Sequence, residues 1–183
     1  VPLARLEVAF GPPAMGLAAV ADGYSADLVV LGAHRSRAGL RTWLGGTAEQ
    51  LLGIARAPVL VVAQVADGLP RRVLAAATDP LLAARVRDWA DGLAQRFSAS
   101  EMVMTMSHAP ARPTVADAAD LATDDTGTEL HILTEAERCR NGIIVLGCRG
   151  AGRGDGAPLD GATTAVLRRA TCPVIALAEP PLA

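Results

Sequence analysis

The chain has 183 residues, of which 51% are apolar and only 3% aromatic, and its formal net charge is −2. This length suits one ordinary domain or one and a half small ones, and it allows a sizeable core. The slightly acidic balance argues against a sequence-independent nucleic-acid binder, which normally presents a basic face. All 17 basic residues are arginine, which excludes a P-loop lysine and Schiff-base chemistry.

Residues 1–64 alternate between strand-like and helix-like patterns. The short, continuous apolar run at Leu28–Leu31 is typical of a strand that is buried on both faces of a parallel sheet. Thr47 and Gln50 have capping-box spacing and predict the start of a helix. The predicted elements are strand Arg5–Phe10, helix Ala14–Tyr24, strand Leu28–Leu31, a loop at 33–46 rich in Gly and Arg, helix Thr47–Ala55 and strand Pro58–Ala63.

A linker at 65–71 leads into a second unit at 72–183 with the same kind of pattern. Pro80 favours the first turn of a helix, and apolar residues then recur along one helical face. This stripe consists of Leu82, Val86, Trp89, Leu93 and Phe97. The other predicted elements are strand Arg72–Thr78, strand Glu101–Ser107, a weak helix at Asp117–Ala122, and strands at Glu129–Leu133, Ile143–Leu146 and Pro173–Leu177. Alternating strands and helices predict an α/β fold with a doubly wound parallel sheet.

The two units are related by an internal repeat. Residues 26–63 align without a gap on residues 141–178 at a constant offset of 115, so that Gly32 falls on Gly147 and Gly46 on Gly161. A repeat at about the length of a domain indicates duplication of a folding unit. The first unit lacks the strand–helix–strand opening of the second, and only about nine residues separate Leu133 from Ile143. Either pieces are missing or the units are degenerate.

The assembled pattern resembles the universal stress protein family. That family ends in a strand, Gly-x2-Gly-x9-Gly-Ser/Thr, a helix and a Pro-Val strand. LVVLG, LGGTAEQLL and APVLVVA follow this layout in the first unit, and IIVLG, LDGATTAVLRRA and CPVIALA follow it in the second. The resemblance implies a Rossmann-like (adenine nucleotide alpha hydrolase-like) fold, a role in the stress response, and a truncated first copy in tandem with a second. It also implies self-association through the final strands, so we expect Pro58–Val62 and Pro173–Leu177 to pair across a pseudo-twofold axis.

In the family, the glycine loop holds the triphosphate of ATP, with Mg²⁺, and an Asp after the first strand lies near the adenosine. Glycines let the backbone approach the ligand, and the next helix directs free N–H groups at the anion. The residues implied for nucleotide binding are Gly32, Gly45, Gly46 and Thr47 in the first unit and Asp79, Gly147, Gly150, Gly161 and Ala162 in the second.

Both copies depart from the family pattern. Arg35 takes the place of the second glycine in the first unit, and Gly45-Gly46 replaces Gly-Ser. In the second unit Asp160-Gly161 replaces Gly-Ser, and a carboxylate there repels phosphate while it caps the helix. Arg149 and Arg153 offer compensating phosphate donors or are solvated loop charges.

No catalytic or metal site is predicted. His34, His108 and His131 are scattered, and the three cysteines lack CxxC spacing. No apolar run is long enough to span a membrane and no signal peptide opens the chain, so we expect a cytoplasmic protein or the soluble part of something larger. Two hypotheses remain open. One is a non-catalytic module that binds adenine nucleotide. The other is an interaction or regulatory domain without nucleotide affinity, for example the cytosolic part of a transporter.

Overall fold

The computed structural model describes residues 5–32, 34–35, 42–43, 46–62, 68–77, 80–105, 130–135, 137, 142–148 and 159–178. The strands are β1 (Val29–Gly32), β2 (His34–Arg35), β3 (Thr42–Trp43), β4 (Val59–Val62), β5 (Arg72–Ala77), β6 (Ser100–Thr105), β7 (Gly142–Cys148) and β8 (Val174–Ala178). The labelled helices are α1 (Pro13–Gly23), α2 (Gly46–Ile54), α3 (Pro80–Phe97) and α4 (Gly161–Arg169). Residues 130–135 and 137 are also helical.

Six strands form one sheet in the order β1-β4-β8-β7-β5-β6, and β2 and β3 form a separate two-stranded hairpin. All neighbours in the large sheet are parallel except β4 and β8. Helices pack on both faces and bury β7 and β8 completely, as expected for parallel pairing. The prediction that Leu28–Leu31 is buried on both faces is wrong, because Val30 is 59% exposed. The predicted doubly wound α/β fold is confirmed.

The final strands of the two repeated segments pair with each other, as predicted. Leu60 lies opposite Ile175 in the antiparallel β4–β8 pair. Strands β5, β7 and β8 are mutually parallel, whereas β1 and β4 run in the opposite direction. The carboxyl ends of β1 and β4 therefore lie at one edge of the sheet, and those of β5, β7 and β8 lie at the opposite edge. The glycine segments that follow β1 and β7 therefore start at opposite edges.

The repeated segments form elements with matching bounds. Helices α2 and α4 both contain nine residues and differ in position by the repeat offset of 115 at each end. Strand β1 corresponds to residues 144–147 within β7, and β4 to residues 174–177 within β8. Equivalent sequence thus forms equivalent local structure on the two sides of the β4–β8 pair.

One face of the sheet is covered by α1, α2, the 130–135 helix and α4, and the other face by α3. Leu51, Leu52 and Leu167 are fully buried on the first face. On the second face α3 places Leu82, Val86, Ala90 and Ala94 against the sheet, while Trp89, Leu93 and Phe97 of the predicted stripe are only half-buried. Small residues in the second half of α3 allow that helix to approach the strands closely.

Two predicted strands are wrong. Residues 5–10 form no strand and are exposed, with Leu6 and Phe10 at least 90% accessible. They are held beside α1 by Glu7, which accepts a 2.5 Å hydrogen bond from Tyr24 and lies 2.8 Å from the Nε atom of Arg5. This hydrogen bond raises the pKa of Tyr24.

The second wrong prediction is the strand at Glu129–Leu133, where residues 130–135 are helical. This stretch lies between the parallel strands β6 and β7, whose connection must cross one face of the sheet, and a helix satisfies its own backbone there. Ile132 is fully buried beneath the sheet. The predicted loop at 33–46 also contains the β2–β3 hairpin. The weak helix predicted at Asp117–Ala122 lies outside the described residues.

Candidate functional site

The candidate site of the second unit lies where β5, β7 and β8 end together. Ala77, Gly147 and Leu177 are register partners across these three parallel strands. The carboxyl ends of parallel strands are the usual place for ligands in open α/β sheets. Of the residues assigned here from sequence, the structure describes Gly147, Gly161 and Ala162, whereas Asp79 and Gly150 lie outside the described residues.

The first turn of α4 is capped by Asp160. One carboxylate oxygen, Oδ1, accepts the backbone N–H of Thr163 at 2.7 Å, and the other, Oδ2, accepts the Thr163 hydroxyl at 2.8 Å. The Asp160 carbonyl accepts the Thr164 N–H at 3.0 Å, which is the first intrahelical hydrogen bond. The predicted capping role of Asp160 is therefore confirmed.

This capped turn is linked to the end of β7 through Cys148. The thiol is fully buried and lies 3.7 Å from the Leu146 carbonyl oxygen. Burial, and next the nearby Asp160 carboxylate, raises the pKa of Cys148 to about 12, although a hydrogen bond with Thr163 acts in the opposite direction. Cys148 is thus a neutral core thiol, without the thiolate character that a nucleophile needs.

The described residues of this turn do not fit a bound phosphate in the conformation observed. A helix N-terminus binds an anion through its free N–H groups and its dipole. Here the Asp160 carboxylate accepts one of those N–H groups and brings a negative charge to the same place. Only the amides of Gly161 and Ala162, which have no intrahelical acceptor, remain in the turn for a ligand.

Gly147 has a packing role that its sequence pattern did not reveal. A Cβ atom at this position would lie 3.0 Å from both Leu82 Cβ and Val86 Cγ2 of α3. Contacts that short are tighter than nearly all that Cβ atoms make, so a side chain at residue 147 would force α3 to shift by a few tenths of an ångström away from β7. Packing against α3 is therefore sufficient to explain a glycine at position 147, whether or not it also contacts a phosphate.

Of the residues assigned in the first unit, the structure describes Gly32, Gly46 and Thr47. Gly32 ends β1 and is exposed, and a Cβ atom there would have no neighbour within 4 Å. Helix α2 begins at Gly46, one residue earlier than predicted, so Thr47 lies inside the helix and is half-buried. Gly45 lies outside the described residues. The backbone of Arg35 belongs to β2, and β3 of the same hairpin lies against α4.

Arg85 at the second-unit edge was missed by the sequence analysis. Its Nη1 atom donates a 2.6 Å hydrogen bond to the carbonyl of Ala178, the last residue of β8. The guanidinium reaches this carbonyl from α3 and satisfies an acceptor at the end of the strand. Arg85 directly precedes Val86 of the apolar stripe, and nothing in the local sequence indicates a contact with β8.

Among the residues that the structure describes, no three His, Cys, Asp or Glu side chains lie close enough together to hold a metal ion. Within the same residues, none of the helices has the length and apolar character needed to cross a membrane. Arg149 and Arg153, the arginines considered as phosphate donors, fall outside the described ranges, as does His108.

Comparison with known proteins gives a family match in the first part of the chain and a similar fold over nearly all of it. The family model described as the universal stress protein family matches residues 1–63. No curated protein matches the sequence. The family match therefore covers about a third of the chain, in the part where the first repeat lies.

Solved structures show the fold over nearly all of the chain. A universal stress protein from Archaeoglobus fulgidus is similar with a TM-score of 0.67 at 20% identity, covering 91% of this chain and 66% of that one. A putative universal stress protein from Pseudomonas aeruginosa has a TM-score of 0.66 at 16% identity, with 90% and 68% covered. A functionally unknown protein from Pseudomonas aeruginosa PAO1 has a TM-score of 0.69 at 15% identity, with 94% and 69% covered. The chain thus spans about two thirds of the length of these structures, and the likeness shows a universal-stress-type α/β fold.

Proposed function

We propose that this chain is a non-catalytic regulatory module of the universal stress type that acts through protein contacts and does not bind nucleotide tightly. The observation that supports this most strongly is the pair of hydrogen bonds from Thr163 to the Asp160 carboxylate. The helix N-terminus that a phosphate would use is held by the protein's own anion. Cys148, which lies beside this turn, is kept as a neutral thiol.

Several finer features belong to this proposal. Residues 1–64 are the C-terminal part of one universal-stress-type unit and residues 72–183 are a second unit, joined in tandem. The matching bounds of α2 and α4 and the β4–β8 pairing support this division. The pairing of β4 with β8 within one chain replaces the pairing of final strands between two chains. The module acts in the cytoplasm in a stress response, by itself or as the cytosolic part of a transporter.

A second candidate function is weak binding of an adenine nucleotide, with Mg²⁺, at the second unit. The first-turn amides of Gly161 and Ala162 lie at the edge where β5, β7 and β8 end, which is the observation that favours this function. For a phosphate to use this turn, the Asp160 carboxylate must leave its hydrogen bonds with Thr163.

Calorimetric titration with ATP, with and without Mg²⁺, tests both functions. We expect at most weak binding by the natural chain. The double substitution Asp160→Gly and Gly161→Ser removes the carboxylate and restores the family's Gly-Ser pair, and it should strengthen binding by roughly 1–3 kcal/mol, or about five- to 150-fold. Asp160→Asn is a matched variant, because asparagine caps a helix as well as aspartate does but has no charge.

A further control is Gly46→Ser, which restores Gly-Ser in the first unit without removing a carboxylate. It should change the affinity for ATP less than the second-unit double substitution does. Micromolar binding by the natural chain that the double substitution leaves unchanged would contradict the proposal. If Asp160→Asn gains as much as the double substitution, charge repulsion alone explains the low affinity and the serine hydroxyl is dispensable.

A further inference from the structure

Helix α4 reaches from the candidate site of the second unit to the first unit. It begins at the edge where β7 and β8 end, and after Arg169 the chain turns back into the start of β8. Because β4 runs against β8, the start of β8 lies at the edge where β1 and β4 end. Nine residues of helix span about 13 Å. The two ends of α4 thus lie at the carboxyl edges of different units.

The N-terminal end of α4 is fixed by Asp160. Its carboxylate accepts both the backbone N–H and the hydroxyl of Thr163, and Thr163 is fully buried. A helix of nine residues is too short to be stable through its own hydrogen bonds, so its order depends on contacts at its ends and on packing. A change at the Asp160 cap therefore changes the order of the first turn of α4.

The C-terminal end of α4 is attached to the first unit. Arg168, in the last turn of α4, donates two hydrogen bonds to the carboxylate of Glu49, which lies in the first turn of α2. The backbone of β3, in the hairpin that follows β1, also lies against α4. These contacts join α4 to the β2–β3 hairpin and to the helix that follows the hairpin in the chain.

The middle of α4 is packed too tightly to absorb a movement of either end. Val166 is fully buried and Leu167 is 2% exposed, and both belong to the core on this face of the sheet. Close-packed interiors transmit small displacements, and a short helix moves as a unit. A loss of order at the Asp160 cap should therefore reach Arg168 and its contacts in the first unit.

The repeat provides the residues for this connection in α4 but not in α2. Gly45 and Gly53 stand at the positions of the repeat that correspond to Asp160 and Arg168. Helix α2 therefore has neither a carboxylate at its cap position nor a cation in its last turn. The connection between the two units thus depends on α4.

We propose that α4 is a coupling element, through which the Asp160 cap of the second unit controls the order of the β2–β3 hairpin and of the first turn of α2. A partner or ligand that draws the Asp160 carboxylate away from Thr163 would loosen the hairpin. One that holds the hairpin would stabilise the cap, because energetic coupling between two sites is reciprocal. This device goes beyond the proposed function, since it requires neither nucleotide nor a particular partner.

Hydrogen exchange of single backbone amides, followed by NMR on the full chain, measures this coupling. Asp160→Ala removes the cap and should accelerate exchange in β2, β3 and the first turn of α2 by about two- to fivefold, as well as in α4 itself. Asp160→Asn is the matched variant, because asparagine retains the cap and loses only the charge, and it should leave the first-unit amides unchanged. Asp88→Asn, the same change of charge on the exposed surface of α3, is the control.

The reverse direction uses milder variants that keep the core intact. Glu49→Gln and Arg168→Gln each remove one partner of the ion pair, and both side chains are at least one-third exposed. Either variant should accelerate exchange of the Thr163 N–H, which Asp160 accepts at the other end of α4, by a similar factor of about two to five. The result does not depend on whether Asp160→Ala folds.

Acceleration in Asp160→Ala that stops within α4 would overturn the proposal, as would unchanged Thr163 exchange in Glu49→Gln. An equal acceleration of the α3 amides would also overturn it, since that would show a loss of global stability in place of a connection through α4. The ATP titration is independent of these results. Tight ATP binding by the natural chain would remove the proposed function but would leave the coupling through α4 standing.

Discussion

Strands β1 and β4 correspond to β7 and β8 in the repeat, yet only β7 and β8 are covered on both faces of the sheet. Val145 is fully buried, while Val30 at the same position of the repeat is 59% exposed. The strands themselves do not cause this difference, because the aligned residues are apolar in both units. Helix α3, which covers only the second half, causes it.

An apolar strand can be extended without being buried on both of its faces. A continuous apolar run predicts that a segment is extended and suited to burial on both sides. Whether each side is buried depends on elements that are remote in the sequence, as α3 is from β8. An apolar strand is therefore covered only where such an element packs on it.

The largest difference between the halves should appear when matched apolar residues are shortened. Ile175→Ala removes a fully buried side chain from beneath α3 and should lower the free energy of unfolding by about 2–5 kcal/mol. Leu60→Ala, at the equivalent position and directly opposite in the β4–β8 pair, should lower it by less than about 1.5 kcal/mol. Urea denaturation measures both. Equal losses of unfolding free energy in the two variants would mean that Leu60 is covered in solution as fully as Ile175.

The two strand-end glycines should differ by a smaller amount. Gly147→Ala introduces a Cβ at 3.0 Å from Leu82 and Val86, so it should destabilise the fold by about 1–3 kcal/mol through overpacking. Gly32→Ala should change stability by less than about 0.5 kcal/mol, because nothing lies near the added carbon. Thermal melts of the two variants are sufficient. A destabilised Gly32→Ala variant would show that some part of the chain already packs there.

Local patterns in the sequence were sufficient to predict most of the sheet. The short apolar runs that became β1, β4, β7 and β8 were predicted as strands, and the resemblance to universal stress proteins predicted that the final strands would pair. Asp160 was assigned as a helix cap from its place at the start of the helix that follows the glycine loop, and its hydrogen bonds confirm this. The spacing of α3 correctly predicted an amphipathic helix that belongs to the core.

What could not be predicted depends on contacts between distant segments. The alternating residues around Ile132 are compatible with a strand or a helix, and the position between β6 and β7 decides for the helix. Gly147 has the position of a phosphate-loop glycine in the sequence, and its close contact with α3, which the sequence does not indicate, gives it a packing role as well. Arg85 supports the end of β8 through a contact 93 positions away, which no local pattern encodes.

Most of the sensitivity to alkaline pH should belong to the second half. The raised pKa of Cys148, about 12 against an ordinary 9.0, means that the fold favours the neutral thiol. That contribution is complete below about pH 9 and is lost as the pH rises toward 12, so the free energy of unfolding should fall by about 1–2 kcal/mol between about pH 8 and 10.5. The chain has no lysine and a single tyrosine, so few other groups titrate in this range.

Cys148→Ala gives the second unit the alanine that the first unit has at this position of the repeat, and it should abolish most of this pH dependence. Cys172→Ala is the control and should retain the slope of the natural chain. Tyr24, whose pKa is raised by its hydrogen bond to Glu7, contributes equally to all three proteins. Urea denaturation at several pH values distinguishes them. An unchanged slope in Cys148→Ala would show that the buried thiol does not control alkaline stability.

The smallest expected effect concerns the ion pair that joins the halves. Arg168 of α4 donates to the Glu49 carboxylate of α2 through Nη2 at 2.5 Å and Nε at 3.1 Å. The repeat does not duplicate this ion pair, because the residues equivalent to Glu49 and Arg168 are Thr164 and Gly53. Both side chains are at least one-third exposed, and a double-mutant cycle with Glu49→Gln and Arg168→Gln should give a coupling of about 0.2–1 kcal/mol that weakens with added salt. A much larger, salt-insensitive coupling would mean that the association of the two halves depends on this pair as well as on the β4–β8 strands.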